Sequence, residues 1–284
     1  MTPTIEWSAD PQVIAGVTVL SLLYVWGWRR ARRPGMPHPP GYGRLAVFAC
    51  AMLVVLAALI SPVDSISDDL MVIHMVQHIL LLDIMPILLI LSLTKGILRP
   101  VTRRLTSLER RAGFLGHPAC AVIFYVAVMW LWHVPFMYDL ALRNEHTWHV
   151  FEHICFAAAG SLYWWHLLSP IRSRLRLGGM GPVVYMVTTK FGVGVLGVML
   201  AFSPTAIYGF YNHQPLFWGL THGQDQNMAG LVMALEQSIV MGIALVWLFV
   251  KMLTESEREA QRAERYEDIA LAGPSPEAGQ PRAA

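Results

Sequence analysis

The feature that most constrains this chain is a series of apolar runs, each close to the length of a membrane-spanning helix. A helix needs about 20 apolar residues to cross the hydrocarbon core. The runs lie at residues 11–28, 45–62, 71–93, 118–138, 148–168, 182–203 and 228–252. Helices are expected because lipid cannot satisfy an open backbone. The sequence therefore predicts an all-α fold over residues 1–253, a polytopic membrane helix bundle with about seven transmembrane helices.

Composition favours a membrane protein and sets a short tail apart from the bundle. Only 14% of the residues are charged, against roughly 25% in a typical soluble chain. Residues 254–284 are charged at first and rich in Pro, Gly and Ala from Gly273 onward, which predicts a cytoplasmic tail that ends in disorder. The three cysteines form no CxxC pair, so no thiol redox motif is visible.

The distribution of Lys and Arg predicts the orientation of the bundle. Cations cluster at residues 29–44, 95–111, 172–176 and 251–265, after the first, third, fifth and seventh runs. The alternate loops hold a single cation, Arg143. Because short loops rich in Lys and Arg stay in the cytoplasm, we expect the N-terminus outside and the C-terminus in the cytoplasm.

Histidines and methionines share one face at the start of the third run. Met71, His74, Met75 and His78 follow the spacing i, i+3, i+4, i+7, which is one stripe on a helix. Two imidazoles and two thioethers suit a soft or borderline metal, copper above all, and thioethers favour Cu(I).

Two further runs bring histidine to the same depth, within about two helical turns of the predicted outer surface. The full set of candidate metal ligands is His74, His78, His133, His149, His153, Met71 and Met75. Glu152 lies between the last two histidines and is a candidate second-shell group. Polar groups in a membrane span usually mark a function. Alternatively, these histidines hydrogen-bond between helices or lie at the headgroup level.

Three charged residues lie deeper in the predicted helices. Asp83 and Lys190 fall at similar depth, and an unpaired charge there is costly, so we expect them to pair, either structurally or in a proton or ion path. Glu236 lies nearer the outer end and is a candidate second-shell partner for a histidine. The aromatic-rich segment 204–227 could cover the outer site or dock a partner.

Several short motifs occur in a fixed order between residues 45 and 253. They are residues 74–78 with Pro86, residues 133–141, His149, residues 152–153, residues 164–165, residues 208–211 and residues 225–230. In this order and spacing they resemble the CtaG-type cytochrome c oxidase assembly factor family of bacterial membrane proteins. The resemblance implies a non-enzymatic role in assembling a haem–copper oxidase, with copper delivery at the periplasmic face. It also implies a multi-pass protein of the bacterial inner membrane.

The implied partners are cytochrome c oxidase subunits or a periplasmic copper carrier, together with membrane lipid, and no nucleic acid. Three other functions stay open at this stage. Two histidines on facing helices could bind haem, and a membrane metalloenzyme could use Glu152 as base, although no HExxH motif is present. A transporter could use Asp83, Lys190 and Glu236, although no inverted repeat is evident.

Overall fold

The computed structural model describes residue 3, residues 5–171 and residues 177–272, and within these ranges the regular structure is entirely helical. The principal helices are α1 (Pro11–Ala31), α2 (Tyr42–Leu59), α3 (Met71–Ser92), α4 (Thr102–Ala112), α5 (Pro118–Trp132), α6 (Pro135–Arg143), α7 (Val150–Leu168), α8 (Gly181–Ala201) and α9 (His222–Ala272). Short helices at Pro62–Ser67 and Lys95–Leu98 lie in the connections before and after α3.

Five of these helices, α1, α2, α3, α8 and α9, are long and apolar enough to cross a membrane. A sixth span results if α4 and α5, which meet at a bend of 70°, count as one. Much of their outer surface consists of exposed apolar side chains such as Leu22, Phe191 and Ile243, as a lipid-facing surface requires. The chain is thus a multi-pass membrane protein.

Two of the predicted spans look different in the structure. The run 118–138 is split between α5 and α6, because Pro135 has no amide hydrogen to continue the first helix. The run 148–168 forms α7, which has 19 residues. Its mean hydropathy is lower than that of the five spanning helices, because it carries polar side chains such as Glu152 and His153.

The last helix continues well past the predicted final span. α9 runs unbroken for 51 residues from His222 to Ala272, so no change of secondary structure marks residue 253. The division of the chain there remains a prediction. The predicted disorder from Gly273 onward lies outside the described residues, as do Arg172, Arg174 and Arg176.

Two apolar clusters hold the helices together. The larger one unites α3, α5, α7, α8 and α9 around large buried aromatics such as Trp132, Tyr163 and Trp164. The smaller one joins α1 to α2, where the rings of Tyr24 and Phe48 stack with centroids 3.8 Å apart. The five-helix cluster is the part of the fold that surrounds the histidines.

The centre of α3 is wound as a π-helix over residues Leu80–Ile84, opposite a glycine of α7. A Cβ atom added at Gly160 would lie 1.7 Å from the carbonyl oxygen of Leu82. Only glycine therefore allows the two backbones this contact, and the contact fixes α3 against α7 below the histidines.

Candidate metal centre

A carboxylate from another helix fixes the start of α3, which carries the first two histidines. Asp225 of α9 accepts hydrogen bonds from the backbone N–H groups of Met71 (2.7 Å) and Val72 (3.1 Å). The N-cap residue Leu70 offers no side-chain acceptor, so Asp225 satisfies amides that the helix itself leaves unpaired. These two hydrogen bonds fix the position of α3 along the bundle relative to α9.

The five predicted histidines lie together near the ends of α3, α5 and α7. Their ring centroids are separated by 4.1 Å for His74–His78, 5.3 Å for His74–His149, 4.3 Å for His149–His153, 5.9 Å for His78–His153 and 6.2 Å for His78–His133. All five side chains are buried. We call this group, with Glu152 and Met75, the histidine cluster.

Glu152 belongs to the centre of the cluster and not to its surroundings. One of its carboxylate oxygens lies 3.6 Å from Nε2 of His78. Ligand atoms of His74, His78 and Glu152 all lie within 4.8 Å of one another. Two atoms bound to one four-coordinate ion, with bonds of about 2.0–2.3 Å, stand about 3.5 Å apart. The three side chains are therefore close to the spacing that an ion would require.

Many polar atoms of the cluster have no hydrogen-bond partner within the protein. Both ring nitrogens of His74 and of His78, Nε2 of His149 and of His153, and both carboxylate oxygens of Glu152 are buried in this state. Buried polar atoms are almost always paired in folded proteins. So many unpaired atoms in one place suit the binding of a metal ion through their nitrogen and oxygen lone pairs.

A ring nitrogen of His133 and the sulfur of Met75 face each other, and each can offer a lone pair to a metal ion. Nδ1 of His133 lies 2.7 Å from the carbonyl oxygen of Met129, which can only accept, so Nδ1 carries the proton. In the neutral ring Nε2 then has a free lone pair, and it faces the Met75 sulfur at 3.4 Å. This arrangement suits two ligands of one soft cation. Met71 is also buried, one turn earlier on α3.

The segment between α8 and α9 covers the cluster at the end of the bundle where α3 begins. Tyr138 of α6 lies 5.4 Å from the ring of His74 and 4.0 Å from the ring of Tyr208. The hydroxyl of Tyr208 donates to the carbonyl of His133 (3.0 Å), and that of Tyr211 donates to the carbonyl of Ser67 (2.7 Å). Burial raises the pKa of both Tyr208 and Tyr211, so both phenols stay protonated as donors.

Asp83 does not pair with Lys190, contrary to the sequence prediction. Its carboxylate accepts from Tyr125 (2.8 and 2.9 Å) and from Nε1 of Trp164 (2.6 Å). Lys190 is exposed on α8, and none of the ion pairs found among the described residues includes it. The prediction failed because residue depth does not define the direction in which a side chain points around its helix.

Glu236 lies below the histidine cluster, next to Asp83. It accepts a hydrogen bond from the Gln237 amide at 2.8 Å. Together with His78 and Asp83 it lines a cavity of about 10 Å³, near the smallest size that holds a water molecule. Glu236 thus shares a cavity with one histidine, but no direct hydrogen bond between them is found in the described part of the chain.

Sequence reasoning missed several groups that shape the site. Tyr138, Asp225 and Trp164 each lie within a motif quoted above, but nothing in the spacing assigned them contacts with the cluster or with Asp83. Their roles depend on contacts between helices that are far apart in the chain, 154 residues in the case of Asp225 and Met71.

Comparisons with known proteins extend these observations. The chain is 27% identical, over 92% of its length, to an uncharacterized protein of Mycobacterium tuberculosis and to one of Mycobacterium bovis. It is 24% identical over 94% of its length to an uncharacterized protein of Mycobacterium leprae. The match spans only 42% of each of these relatives, so the chain corresponds to about two fifths of their length. No solved structure matches it.

The family comparison covers most of the bundle. The sequence profile described as cytochrome c oxidase caa3 assembly factor (Caa3_CtaG) matches residues 22–255, which include every residue of the histidine cluster. The resemblance seen in the motifs is thereby confirmed, and this multi-pass membrane protein belongs to the cytochrome c oxidase caa3 assembly factor family.

Proposed function

We propose that the protein binds copper in the histidine cluster and delivers it to a haem–copper oxidase during assembly. The observation that carries the proposal is the set of buried, unpaired nitrogen and oxygen atoms on His74, His78, His149, His153 and Glu152. Membership of an oxidase assembly family supplies the acceptor, because oxidases of this type contain copper. The protein acts as a carrier and not as an enzyme.

The donor set supports copper over zinc. His133 and Met75 offer a nitrogen and a thioether sulfur 3.4 Å apart, and thioether sulfur prefers Cu(I). The carboxylate of Glu152 would also tolerate the divalent ion. A site with both kinds of ligand suits a protein that must release copper as well as bind it.

Packing favours a metal ion over haem. Each of the five histidine rings lies within 6.2 Å of at least one other, whereas two axial ligands of haem lie on opposite faces of a large macrocycle. The cavity that borders His78 has a volume of only about 10 Å³. A single ion needs no such space, because the ligand atoms of His74, His78 and Glu152 already lie within 4.8 Å of one another.

We further propose that the bundle crosses the bacterial inner membrane seven times, with the cluster at the periplasmic side. The alternation of Lys and Arg between successive loops supports this orientation. α5 with its preceding bend and the polar α7 would supply the two spans beyond the five identified by length and composition. The copper donor would be a soluble periplasmic carrier that docks at residues 204–227.

The test is the copper content and the absorbance spectrum of the purified protein. We expect the His74→Ala/His78→Ala variant to lose copper and to lower copper in the oxidase, since both rings lie in the closest ligand group. The matched control is His38→Ala/His117→Ala, which removes two exposed histidines outside both the cluster and residues 204–227 and should retain copper. A wild-type protein without copper, a Soret band, or normal oxidase activity in the cluster variant would contradict the proposal.

A second pair of variants separates the two methionines. Met75→Leu should weaken Cu(I) binding by roughly tenfold, because a thioether ligand is lost while side-chain volume is conserved. Met71→Leu makes the same change one turn away and should have a smaller effect, since Met75, and not Met71, has its sulfur against His133. Competition with a Cu(I)-specific chromophoric chelator measures both affinities, and equal affinities in the two variants would exclude Met75 as the preferred ligand.

A further inference from the structure

A second cavity lies at the opposite end of the bundle from the histidine cluster. It has a volume of about 660 Å³, which is within the range of roughly 300–1,000 Å³ typical of ligand pockets. Its walls come from the ends of α2, α3 and α7, from the middle of α9, and from α4. We call it the inner pocket, because it lies at the end of the bundle that is rich in Lys and Arg.

Charge at the inner pocket is predominantly positive. Arg44, Lys95 and Lys251 line it, and Glu109 is the one carboxylate among its described lining residues. The Arg44 guanidinium donates to the carbonyl of Leu91, which holds it at the pocket wall. The Lys251 ammonium lies 5.2 Å from the ring centroid of Trp247, another lining residue. The pocket can therefore neutralise an anionic group.

The remaining surface of the inner pocket is apolar. Leu105, Leu108 and Leu115 come from α4 and the turn that follows it, and Leu162 comes from α7. Leu108 and Leu115 are also largely exposed, at 65% and 74%. An apolar wall that continues onto the outside of a membrane protein can hold a hydrocarbon chain that extends into the bilayer.

The position of α4 matches the surface of a membrane. Arg103, Arg104, Arg110 and Arg111 are exposed on this helix, which buries none of its residues. It then turns through 70° into α5. Trp165 and Trp247, a residue type enriched at the membrane–water interface, line the pocket beside it. An exposed basic helix beside such a bend and two tryptophans suits the level of lipid headgroups.

We propose that the inner pocket binds one anionic phospholipid, with its phosphate at Lys95, Lys251 and Arg44 and an acyl chain along the leucines of α4 and α7. Basic pockets between transmembrane helices bind anionic headgroups in other membrane proteins. A water-soluble anion would not require the apolar wall, and a zwitterionic lipid would not require the excess of cations. The site is independent of the histidine cluster and of its metal.

The test measures lipid bound to the intact protein by native mass spectrometry in detergent, with phosphatidylglycerol and phosphatidylcholine added at equal concentration. We expect the wild type to retain one phosphatidylglycerol in preference to phosphatidylcholine. Lys95→Gln/Lys251→Gln should lower this retention by about tenfold or more, because each lysine near an anionic headgroup contributes about a fivefold change in affinity. Both lysines are exposed, so the variant should fold.

Two further variants separate a specific site from general charge attraction. Arg104→Gln/Arg111→Gln removes the same charge from the outer face of α4 and should retain the lipid. Ala112→Trp leaves every cation in place and fills the pocket from its α4 wall, so it should lose the lipid. Equal retention by wild type and the lysine variant, equal binding of both lipids, or displacement by inorganic phosphate alone would overturn the proposal.

Discussion

Asp83 is fully buried among α3, α5, α7 and α9, where its carboxyl group accepts from Tyr125 and Trp164 and also contacts the Glu236 carboxyl group. A carboxyl group that accepts from Tyr125 and Trp164 is stabilised without a cation. This end of the bundle is thus held by polar contacts between four helices. Lys190, at similar depth, points away from this network on α8.

Replacing either charged residue tests this description. Asp83→Leu leaves the buried donors of Tyr125 and Trp164 without their acceptor, and we expect a loss of about 1–3 kcal/mol in the free energy of unfolding, the usual cost of an unsatisfied buried group. Lys190→Gln should change it by less than about 0.5 kcal/mol, as at other exposed sites. Thermal unfolding in detergent compares the two. An equal loss in both variants would contradict this description and favour the predicted ion pair between Asp83 and Lys190.

The π-helix in α3 explains why the sequence predicted one half of this helix better than the other. Before it, the spacing of Met71, His74, Met75 and His78 correctly placed four side chains on a buried face. The π-helix adds one residue to a turn, and each residue rotates the helix by about 100°. Asp83 lies within this π-helix, so its direction could not be read from the regular helical spacing that describes the first half of α3, and the predicted ion pair rested on depth alone.

The close contact between α3 and α7 gives an element-scale prediction. Gly160→Ala would force the helices apart, since the new Cβ would overlap the Leu82 carbonyl oxygen. We expect destabilisation of about 1–3 kcal/mol or more, as for other overpacked sites, together with weaker copper binding in the site proposed at His78 and Glu152. Gly194→Ala is the matched control, because nothing lies within 4 Å of a Cβ there. Unfolding temperature and copper content should fall together in the first variant alone.

At the scale of the whole molecule, the histidine cluster and the inner pocket lie at opposite ends of one bundle. The larger apolar cluster fills the space between them. The all-helical class, the family and the grouping of the five histidines could be predicted from the chain, because each depends on local spacing and composition. Two other features could not be predicted, because they depend on how distant helices pack. These are the ring contact of Tyr138 with Tyr208 and the hydrogen bonds from the start of α3 to Asp225.

The proposed seven-span arrangement can be tested by cysteine labelling. In a background without Cys50, Cys120 and Cys155, Arg110→Cys and Gly178→Cys should react with a membrane-impermeant maleimide only after permeabilisation. Arg143→Cys should react in intact spheroplasts, because it lies between α5 and α7 on the predicted outer side. Arg110, Arg143 and Gly178 are all exposed in the structure. Labelling of Arg143→Cys and Gly178→Cys from the same side would mean that α7 does not cross the membrane.

The burial of the histidine cluster also bears on how fast an ion could be exchanged. Its histidines are at most 9% exposed, and Tyr208 and Tyr211 anchor the covering segment to the ends of α5 and the loop before α3. A ligand held in a closed site can leave only while the cover is open. The residence time of an ion would then be limited by the opening rate of residues 202–221. A docking protein could speed up transfer by breaking the hydrogen bonds that hold this segment, which are those of the two tyrosines and those of its backbone to Asp139 and Gln226.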